Sequence, residues 1–188
     1  MTRSQIPKAK QPLLKVEGLK THFFVDGSVV RAVDHVDLEI FRGEVFGLVG
    51  ESGCGKTVTA LSIMGLIDEP GRIIGGDVIF DDISLLALSE DELNRIRGGR
   101  ISLIFQDPQV RLNPVFTVGS QLAEIFQVHY GEPRQAAFER SVQLFETVGL
   151  PDPLKRVHAY PHELSGGKAQ RVMIAMALAL EPELIIAD

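Results

Sequence analysis

Gly50-Glu51-Ser52-Gly53-Cys54-Gly55-Lys56-Thr57 matches the phosphate-loop pattern G-x-x-x-x-G-K-[ST] at every fixed position. The apolar residues 45–49 before it predict a buried strand, and residues 56–67 after it predict a helix, which is the order of elements that the pattern requires. A glycine-rich turn can also join a strand to a helix without binding a ligand. The match at every fixed position, together with the flanking elements, favours a nucleoside triphosphate site over such a turn.

Each fixed residue of this phosphate loop has a defined chemical task. The glycines let successive backbone N–H groups converge on phosphate oxygens, and the positive end of the following helix adds to the attraction. Lys56 is predicted to reach the β and γ phosphates, and the Thr57 hydroxyl is predicted to ligate magnesium. The predicted ATP-binding residues are Gly50, Glu51, Ser52, Gly53, Cys54, Gly55, Lys56 and Thr57, with ATP and Mg²⁺ as cofactors.

Composition narrows the class of protein. The chain has 188 residues, of which 45% are hydrophobic, and this suits one globular domain with room for a subdomain. The single cysteine, Cys54, excludes an internal disulfide and any cysteine-based metal site, and it fits a reducing compartment. The formal net charge of −6 disfavours a nucleic-acid partner. Residues 1–12 are expected to form a flexible tail without a secretory signal, and the most apolar segment, residues 172–180, is too short to cross a bilayer.

The elements along the chain are predicted from hydrophobic periodicity and turn signals. Short strand-like runs between residues 13 and 40 surround the hairpin turn Asp26-Gly27, which indicates an antiparallel β part. Residues 107–163 have a helical pattern and indicate a helical subdomain. The individual elements are strands at 76–80, 101–105 and 184–188, of which the last two have a buried-type sequence, and helices at 90–97, 118–130, 133–148 and 166–180.

A second motif, Leu164-Ser165-Gly166-Gly167, comes just before the last predicted helix. Ser165 in the N-cap position followed by two glycines leaves backbone N–H groups accessible at a helix N-terminus, which would be a second anion site in one chain. An ordinary helix cap can have the same residues. The neighbouring motifs favour the anion site, because Phe105-Gln106-Asp107-Pro108 follows one strand and residues 184–188 form an apolar strand that ends in a carboxylate.

With these motifs in this order, residues 13–188 resemble the ATP-binding cassette (ABC) ATPases. The resemblance implies an α/β fold with a P-loop NTPase core, a mixed or parallel sheet, an N-terminal antiparallel β subdomain and a helical subdomain insertion. It divides the chain into a nucleotide-binding core at 13–106, the helical subdomain at 107–163, and a last part of the core at 164–188 with the signature helix and the Walker B strand.

The resemblance also implies a catalytic and metal site. Gln106 resembles the glutamine of the family's Q-loop and would contact magnesium or the attacking water. Asp188 ends the strand that resembles Walker B and would hold magnesium through water. The implied catalytic residues are therefore Gln106 and Asp188, and the implied metal site consists of Thr57, Gln106 and Asp188.

Two further sites follow from the same resemblance. The signature residues Ser165-Gly166-Gly167 would close on the ATP held by a second cassette, so that ATP joins two subunits. An aromatic residue near the N-terminal strands would stack on adenine, with Phe23 as the first candidate and Phe24 as the second. Both rings can equally be ordinary strand residues packed into the sheet.

The sequence around the motifs is similar to that of one branch of the family, the dipeptide, oligopeptide and nickel importers. The residues that carry this similarity are Tyr160-Pro161-His162-Glu163 before the signature, Leu112-Asn113-Pro114, and Gly149-Leu150-Pro151-Asp152-Pro153. This branch implies an ATP-hydrolysing subunit that energises the import of di- or oligopeptides, with nickel as another cargo. The implied partners are a second ABC ATPase subunit, identical or related, two membrane permease subunits and, indirectly, an extracytoplasmic peptide-binding protein. The implied location is the cytoplasmic face of the cell membrane.

Some positions depart from the family pattern. Lys168 stands where the family often has glutamine, and residues 109–111 replace a run of small residues. The family pattern continues beyond Asp188 with a glutamate as general base and a switch histidine. Two alternatives stay open from the sequence. One is a catalytically inactive nucleotide-binding fragment that lacks the general base, and the other is a non-transport ABC ATPase, which would share the phosphate loop and the signature. Residues 184–188 are also expected to expose apolar surface and strand edges, and poor solubility of the chain is expected as a result.

Overall fold

The structure, a computed structural model, describes residues 11–188 apart from the side chains of Pro108 and Gln109. The tail predicted for residues 1–12 therefore lies almost entirely outside the described residues. The chain forms two compact units, one ending at Leu93 and the other running from Asn94 to Asp188. The predicted boundaries near residues 106 and 163 stay predictions.

A long antiparallel hairpin begins the first unit. β1 (Leu14–Val25) pairs with β2 (Ser28–Ile40) along its whole length. The turn residues Asp26 and Gly27 both have positive φ angles, 48° and 76°. Two positive φ angles are the pattern of a type I′ turn, whose twist matches that of the strands. The hairpin predicted from Asp26-Gly27 is confirmed.

β1 is an inner strand of a four-stranded sheet in the order β2-β1-β3-β4. β3 (Gly71–Phe80) pairs antiparallel with β1, and β4 (Ile83–Ser84) pairs antiparallel with β3. Branched and aromatic side chains of these strands suit a half-buried pleated surface. They form the core of the unit together with the helix that lies between β2 and β3 in the sequence, α1 (Lys56–Ile63). The buried apolar residues are Leu13, Leu14, Val16, Leu19, Val33, Ala60, Ile63, Met64, Val78, Phe80 and Leu85.

The helix after the phosphate loop, α1 (Lys56–Ile63), is shorter than the helix predicted at 56–67. Gly65 donates its N–H to the Ser62 carbonyl oxygen at 3.1 Å, and Leu66 donates to the Leu61 carbonyl oxygen at 2.8 Å. These paired bonds form a Schellman motif, which terminates a helix. The prediction was wrong at this end because a glycine in this position stops a helix even where apolar residues continue the helical period.

Residues 45–49, before the phosphate loop, were predicted to form a buried strand, and this prediction is wrong. The segment belongs to neither of the two sheets, and Val45 and Val49 are 99% and 93% exposed. A strand needs a neighbour that satisfies its backbone N–H and C=O groups. No described strand pairs with residues 45–49, and an apolar run alone cannot supply that neighbour.

The second unit combines helices with a two-stranded parallel sheet of β5 (Ile101–Ile104) and β6 (Leu184–Ala187). Parallel strands need a long crossover, which the helices between them supply. Strands are present at both predicted places. The buried character predicted for 184–188 is only partly right, because Leu184 is buried whereas Ile185 is 40% exposed. The helices are α2 (Glu90–Ile96) at the border of the units, α3 (Pro108–Arg111), α4 (Val118–Tyr130), α5 (Arg134–Thr147), α6 (Pro153–Arg156) and α7 (Gly166–Leu178).

The core of the second unit lies among α4, α5 and α7. Its buried residues are Leu112, Val118, Leu122, Ala123, Phe126, Ala137, Phe145, Leu150, Val157, Ala159, Leu164, Ala169, Val172, Met173, Ala175 and Ala179. At one edge, the Arg140 guanidinium lies 4.5 Å from the Phe126 ring centroid and 4.7 Å from that of Tyr130. Its hydrogen bond to Glu132, at 2.6 Å, raises the pKa of Arg140 above its ordinary value. None of the described helices has both the length and the hydropathy that crossing a membrane requires.

Candidate nucleotide site

The phosphate loop has a backbone that requires glycine at critical positions. Gly53 and Gly55 have φ angles of 81° and 97°, in the left-handed region that residues with a Cβ disfavour. A Cβ added at Gly55 would lie well inside 3.0 Å of the Ala32 carbonyl oxygen, and one added at Gly50 would lie 2.5 Å from Cys54 Sγ. The loop is tightly wrapped as a result, and its shape fits a ligand that is bound by backbone groups.

The Lys56 ammonium lies against this loop. Its Nζ donates to the carbonyl oxygens of Gly50 at 2.8 Å and Glu51 at 2.7 Å, and it lies 3.5 Å from Cys54 Sγ. These contacts hold a positive charge beside the backbone of the loop. An anion of the phosphate type is the ligand that this charge and the loop N–H groups fit together.

The N-terminus of α1 adjoins the loop. Thr59 donates its N–H to the Gly55 carbonyl oxygen at 2.8 Å, which begins the helical ladder, and the N-cap residue Gly55 has no side chain to cap the turn. The positive end of the helix dipole therefore faces the loop. Thr57, the predicted magnesium ligand, is exposed in this first turn. The charge, the helix end and the hydroxyl together fit a magnesium-bound triphosphate.

The two aromatic candidates for the base differ in exposure. Phe23 is half-buried in β1, and a Cβ added at Gly71 would lie 2.6 Å from Phe23 Cε1 and 2.8 Å from Ile67 Cγ2. The Phe23 ring thus packs on Gly71 beside Ile67. Phe24 is 46% exposed, and as the next residue of the strand it points to the opposite face. Stacking of either ring on adenine stays a prediction.

Gln106 and Asp188 follow two neighbouring parallel strands. Ile104 of β5 lies opposite Ala187 of β6, and the Asp188 N–H donates to the Ile104 carbonyl oxygen at 3.0 Å. Both predicted residues are exposed at the carboxyl edge of this sheet, which is where ligands bind in parallel α/β sheets. The structure brings Gln106 and Asp188 to one edge of the second unit, and Thr57 belongs to the first unit.

The signature residues form an open helix end. Ser165 is the N-cap of α7 with an extended backbone, φ −68° and ψ 157°, and its side chain makes no capping hydrogen bond. The N–H groups of Lys168 and Ala169 donate instead to the Ser165 carbonyl oxygen, both at 2.9 Å. Gly166 and Gly167 are exposed, and a Cβ added at either would meet nothing within 4 Å. An ordinary N-cap uses its side-chain oxygen, and Ser165 does not. The anion site at this helix end stays a prediction.

Two contacts beside these motifs were not predicted from the sequence. The Arg111 guanidinium lies 4.3 Å from the centroid of the Phe105 ring, just before the Q-loop glutamine. The rings of Tyr160 and His162 stack before the signature with centroids 5.7 Å apart, and Glu163 Oε2 accepts the Tyr160 N–H at 2.7 Å. Glu163 lies three positions after Tyr160, which is the spacing of a capping box and could have predicted the turn. No local sequence pattern indicates the Arg111 contact.

A glycine loop wrapped beneath a lysine at the N-terminus of a helix, next to a sheet, defines the class of P-loop nucleotide-binding proteins. Within this class the chain belongs to the ABC transporter family, whose sequence model matches residues 33–188. The family membership inferred from the phosphate loop, the Q-loop and the signature is confirmed.

Curated relatives carry peptide-transport names. The chain is 50% identical over 183 residues to the probable peptide ABC transporter ATP-binding protein y4tR of Sinorhizobium fredii. This match covers 97% of this chain and 54% of the relative. It is 47% identical to the dipeptide transport ATP-binding protein DppD of Escherichia coli, over 94% of this chain and 54% of the relative. It is 46% identical to the oligopeptide transport ATP-binding protein OppD of Salmonella typhimurium, over 100% of this chain and 56% of the relative. The chain spans about half the length of the curated relatives it matches.

Solved structures agree with the fold. A dimeric post-hydrolysis state of the ATP-binding cassette MJ0796 bound to ADP and Pi has a TM-score of 0.82 and 29% identity, over 93% of this chain and 73% of that one. The structure of cbiO1 from Clostridium perfringens, part of the ABC transporter complex cbiONQ, has a TM-score of 0.72 and 25% identity, over 94% of this chain and 65% of that one. The predicted fold class, a P-loop core of the ABC ATPase type with an antiparallel β part and helices, is confirmed.

Proposed function

We propose that this chain is the ATP-binding and ATP-hydrolysing subunit of an ABC importer for dipeptides or oligopeptides, with nickel as another cargo. The observation that carries the proposal is the Lys56 ammonium, which is held at 2.7 and 2.8 Å by carbonyl oxygens of the phosphate loop. A fixed cation beside loop N–H groups is the arrangement that a triphosphate requires. The peptide cargo is supported by the names of the relatives from S. fredii, E. coli and S. typhimurium, all three of which are peptide-transport proteins.

In the proposed site, Lys56 binds the β and γ phosphates and the loop N–H groups bind further phosphate oxygens. Thr57, Gln106 and Asp188 are the proposed magnesium ligands, because hydroxyl, amide and carboxylate oxygens are the groups that this hard cation prefers. Bound magnesium would neutralise part of the phosphate charge. The Gln106 side chain can also hydrogen-bond a water molecule and orient it for attack on the γ phosphate.

The proposed assembly contains a second ABC ATPase subunit, identical or related. The uncapped Ser165 and the open space at Gly166 and Gly167 support a role for the signature in binding ATP that the second subunit holds. Two membrane permease subunits and, indirectly, an extracytoplasmic peptide-binding protein complete this assembly. Its proposed place is the cytoplasmic face of the cell membrane.

Nucleotide binding by the chain itself tests this proposal first. A fluorescent ATP analogue is titrated with the chain, with and without magnesium, and binding is followed by fluorescence anisotropy. We expect a Kd between about 1 μM and 1 mM, the usual range for enzyme substrates, and a lower Kd with magnesium. Absence of saturable binding under both conditions would contradict the proposal.

Replacing Ser165 with arginine should stop transport without affecting the chain's own phosphate loop. We expect Ser165→Arg to lower ATP-driven peptide uptake by the complete transporter about a hundredfold or more, because the added side chain occupies the open helix end that the partner's ATP needs. Uptake of a labelled dipeptide into proteoliposomes measures the effect. Ser28→Arg, an arginine at another exposed serine, is the matched control. Full uptake with Ser165→Arg would show that the signature does not share the partner's ATP.

The aromatic assignment is tested with Phe23→Leu, which keeps an apolar side chain against Gly71 and Ile67. We expect this variant to weaken ATP binding about tenfold, because stacking of a base on an aromatic ring is lost, and to leave the affinity for inorganic tripolyphosphate unchanged. Phe24→Leu is the matched control and should bind both ligands as the wild type does. Loss of ATP affinity in Phe24→Leu instead would assign the base to the second candidate.

A further inference from the structure

Two hydroxyl groups meet in the interior of the first unit, between β1 and α1. Thr21 Oγ1 and Ser62 Oγ lie 2.7 Å apart, and both residues are 0% exposed. They are 41 positions apart in the sequence. The neighbouring buried residues of α1, Ala60 and Ile63, are apolar and make no such directed contact. The hydroxyl pair is therefore a specific polar link between the strand and the helix.

The protons of this link can be assigned from its acceptors. Ser62 Oγ also lies 2.6 Å from the Val58 carbonyl oxygen, which can only accept a hydrogen bond. A hydroxyl carries one proton, so Ser62 donates to Val58 and Thr21 donates to Ser62. The link thus runs from β1 through Ser62 to the backbone of α1.

A link of this kind fixes where α1 lies along β1. Hydrogen bonds weaken steeply with distance and angle, whereas burial of apolar surface is non-directional and tolerates small shifts. Downstream of Thr21, β1 carries Phe23 and Phe24, the two candidates for the base. α1 begins at Lys56, which is proposed to bind the phosphates. The link therefore connects the two halves of the proposed nucleotide site.

We propose that Thr21 and Ser62 are a positioning pair that sets the spacing between the base-binding strand and the phosphate-binding loop. This inference rests on the proposed function, and it names what the spacing selects: a nucleoside triphosphate, whose base and phosphates engage together, over a bare triphosphate chain. Neither hydroxyl touches the nucleotide in this assignment. Both act through the elements that they join.

The test compares affinities for ATP and for inorganic tripolyphosphate, both with magnesium, by competition against the fluorescent ATP analogue on the full chain. Thr21→Val removes the donor and leaves Ser62 its bond to Val58. We expect the preference for ATP, the ratio of the two Kd values, to fall about five- to tenfold, while the Kd of tripolyphosphate stays within about twofold. Thr21→Ser keeps the hydroxyl and should restore the preference. Ser62→Ala breaks the same link from the helix side and should also lower the preference.

Ser84→Ala is the matched control, because the Ser84 hydroxyl donates to Asp77 Oδ1 at 2.7 Å and joins β3 to β4 instead of joining β1 to α1. It should keep the wild-type preference. Three outcomes would overturn the positioning role. Thr21→Val and Ser62→Ala could weaken the binding of both ligands equally, both variants could keep the wild-type preference, or the wild type could bind the two ligands with equal affinity. If the wild type binds neither ligand, the proposed function itself fails and the positioning role fails with it.

Discussion

Replacing Lys56 with alanine is expected to weaken binding of the fluorescent ATP analogue about a hundredfold. Hydrogen bonds to charged groups contribute about 1.5–3 kcal/mol each, and about 1.4 kcal/mol corresponds to a tenfold change in affinity. In the structure the Lys56 ammonium already lies at the loop, 2.8 Å from the Gly50 carbonyl oxygen and 2.7 Å from that of Glu51. Its loss removes the proposed bonds to the phosphates and also the hydrogen bonds to the two loop carbonyl oxygens. Equilibrium anisotropy titrations of both proteins measure the difference.

Lys155→Ala is the matched control for this experiment. Lys155 is exposed on α6, so its replacement removes the same charge at a position outside the phosphate loop. We expect the control to bind the analogue within about twofold of the wild type, because Lys155 is not part of the phosphate loop and its exposed charge is screened by salt. If Lys56→Ala bound as tightly as Lys155→Ala, the phosphate loop would not be the nucleotide site.

Local patterns predicted the elements that local interactions determine. The Asp26-Gly27 turn specified the hairpin because a type I′ turn depends on two residues that tolerate positive φ. α4 has the bounds predicted for it, 118–130, since the helical period and its ends are contained in one stretch of sequence. The phosphate loop was predicted for the same reason, because its shape and its charge lie within Gly50–Thr57.

The features that depend on distant residues could not be predicted. Residues 45–49 have a strand-like composition, but a strand also needs a pairing neighbour, and composition does not report one. The link between Thr21 and Ser62 joins residues 41 positions apart, and each residue alone has the pattern of an ordinary polar position. In the same way, the Arg171 guanidinium donates to the Val148 carbonyl oxygen at 2.6 Å, across 23 positions between α7 and the end of α5. Such contacts require the folded arrangement before they can be identified.

Gly119→Ala is expected to destabilise the helical core by about 3 kcal/mol, within the upper range of overpacking effects. Gly119 is the second residue of α4, and a Cβ added there would lie well inside 3.0 Å of both the Val157 carbonyl oxygen and Val157 Cγ2. The backbone approaches this closely because the Gly119 N–H donates to the Val157 carbonyl oxygen at 3.0 Å and the Val118 N–H donates to that of Ala159 at 2.9 Å. A methyl group would separate the two backbones and break both bonds. Urea denaturation followed by far-UV circular dichroism measures the change.

The sign of the effect makes this prediction decisive. Helix propensity alone would make glycine to alanine in α4 stabilising by about 0.5–1 kcal/mol. Gly167→Ala is the matched control, because Gly167 is the second residue of α7 and a Cβ there would meet nothing within 4 Å. Only propensity acts at Gly167, so the control should gain stability while Gly119→Ala loses it. A gain in both variants would show that the segment with Val157 and Ala159 can move away from α4, and that its two hydrogen bonds do not fix the start of the helix.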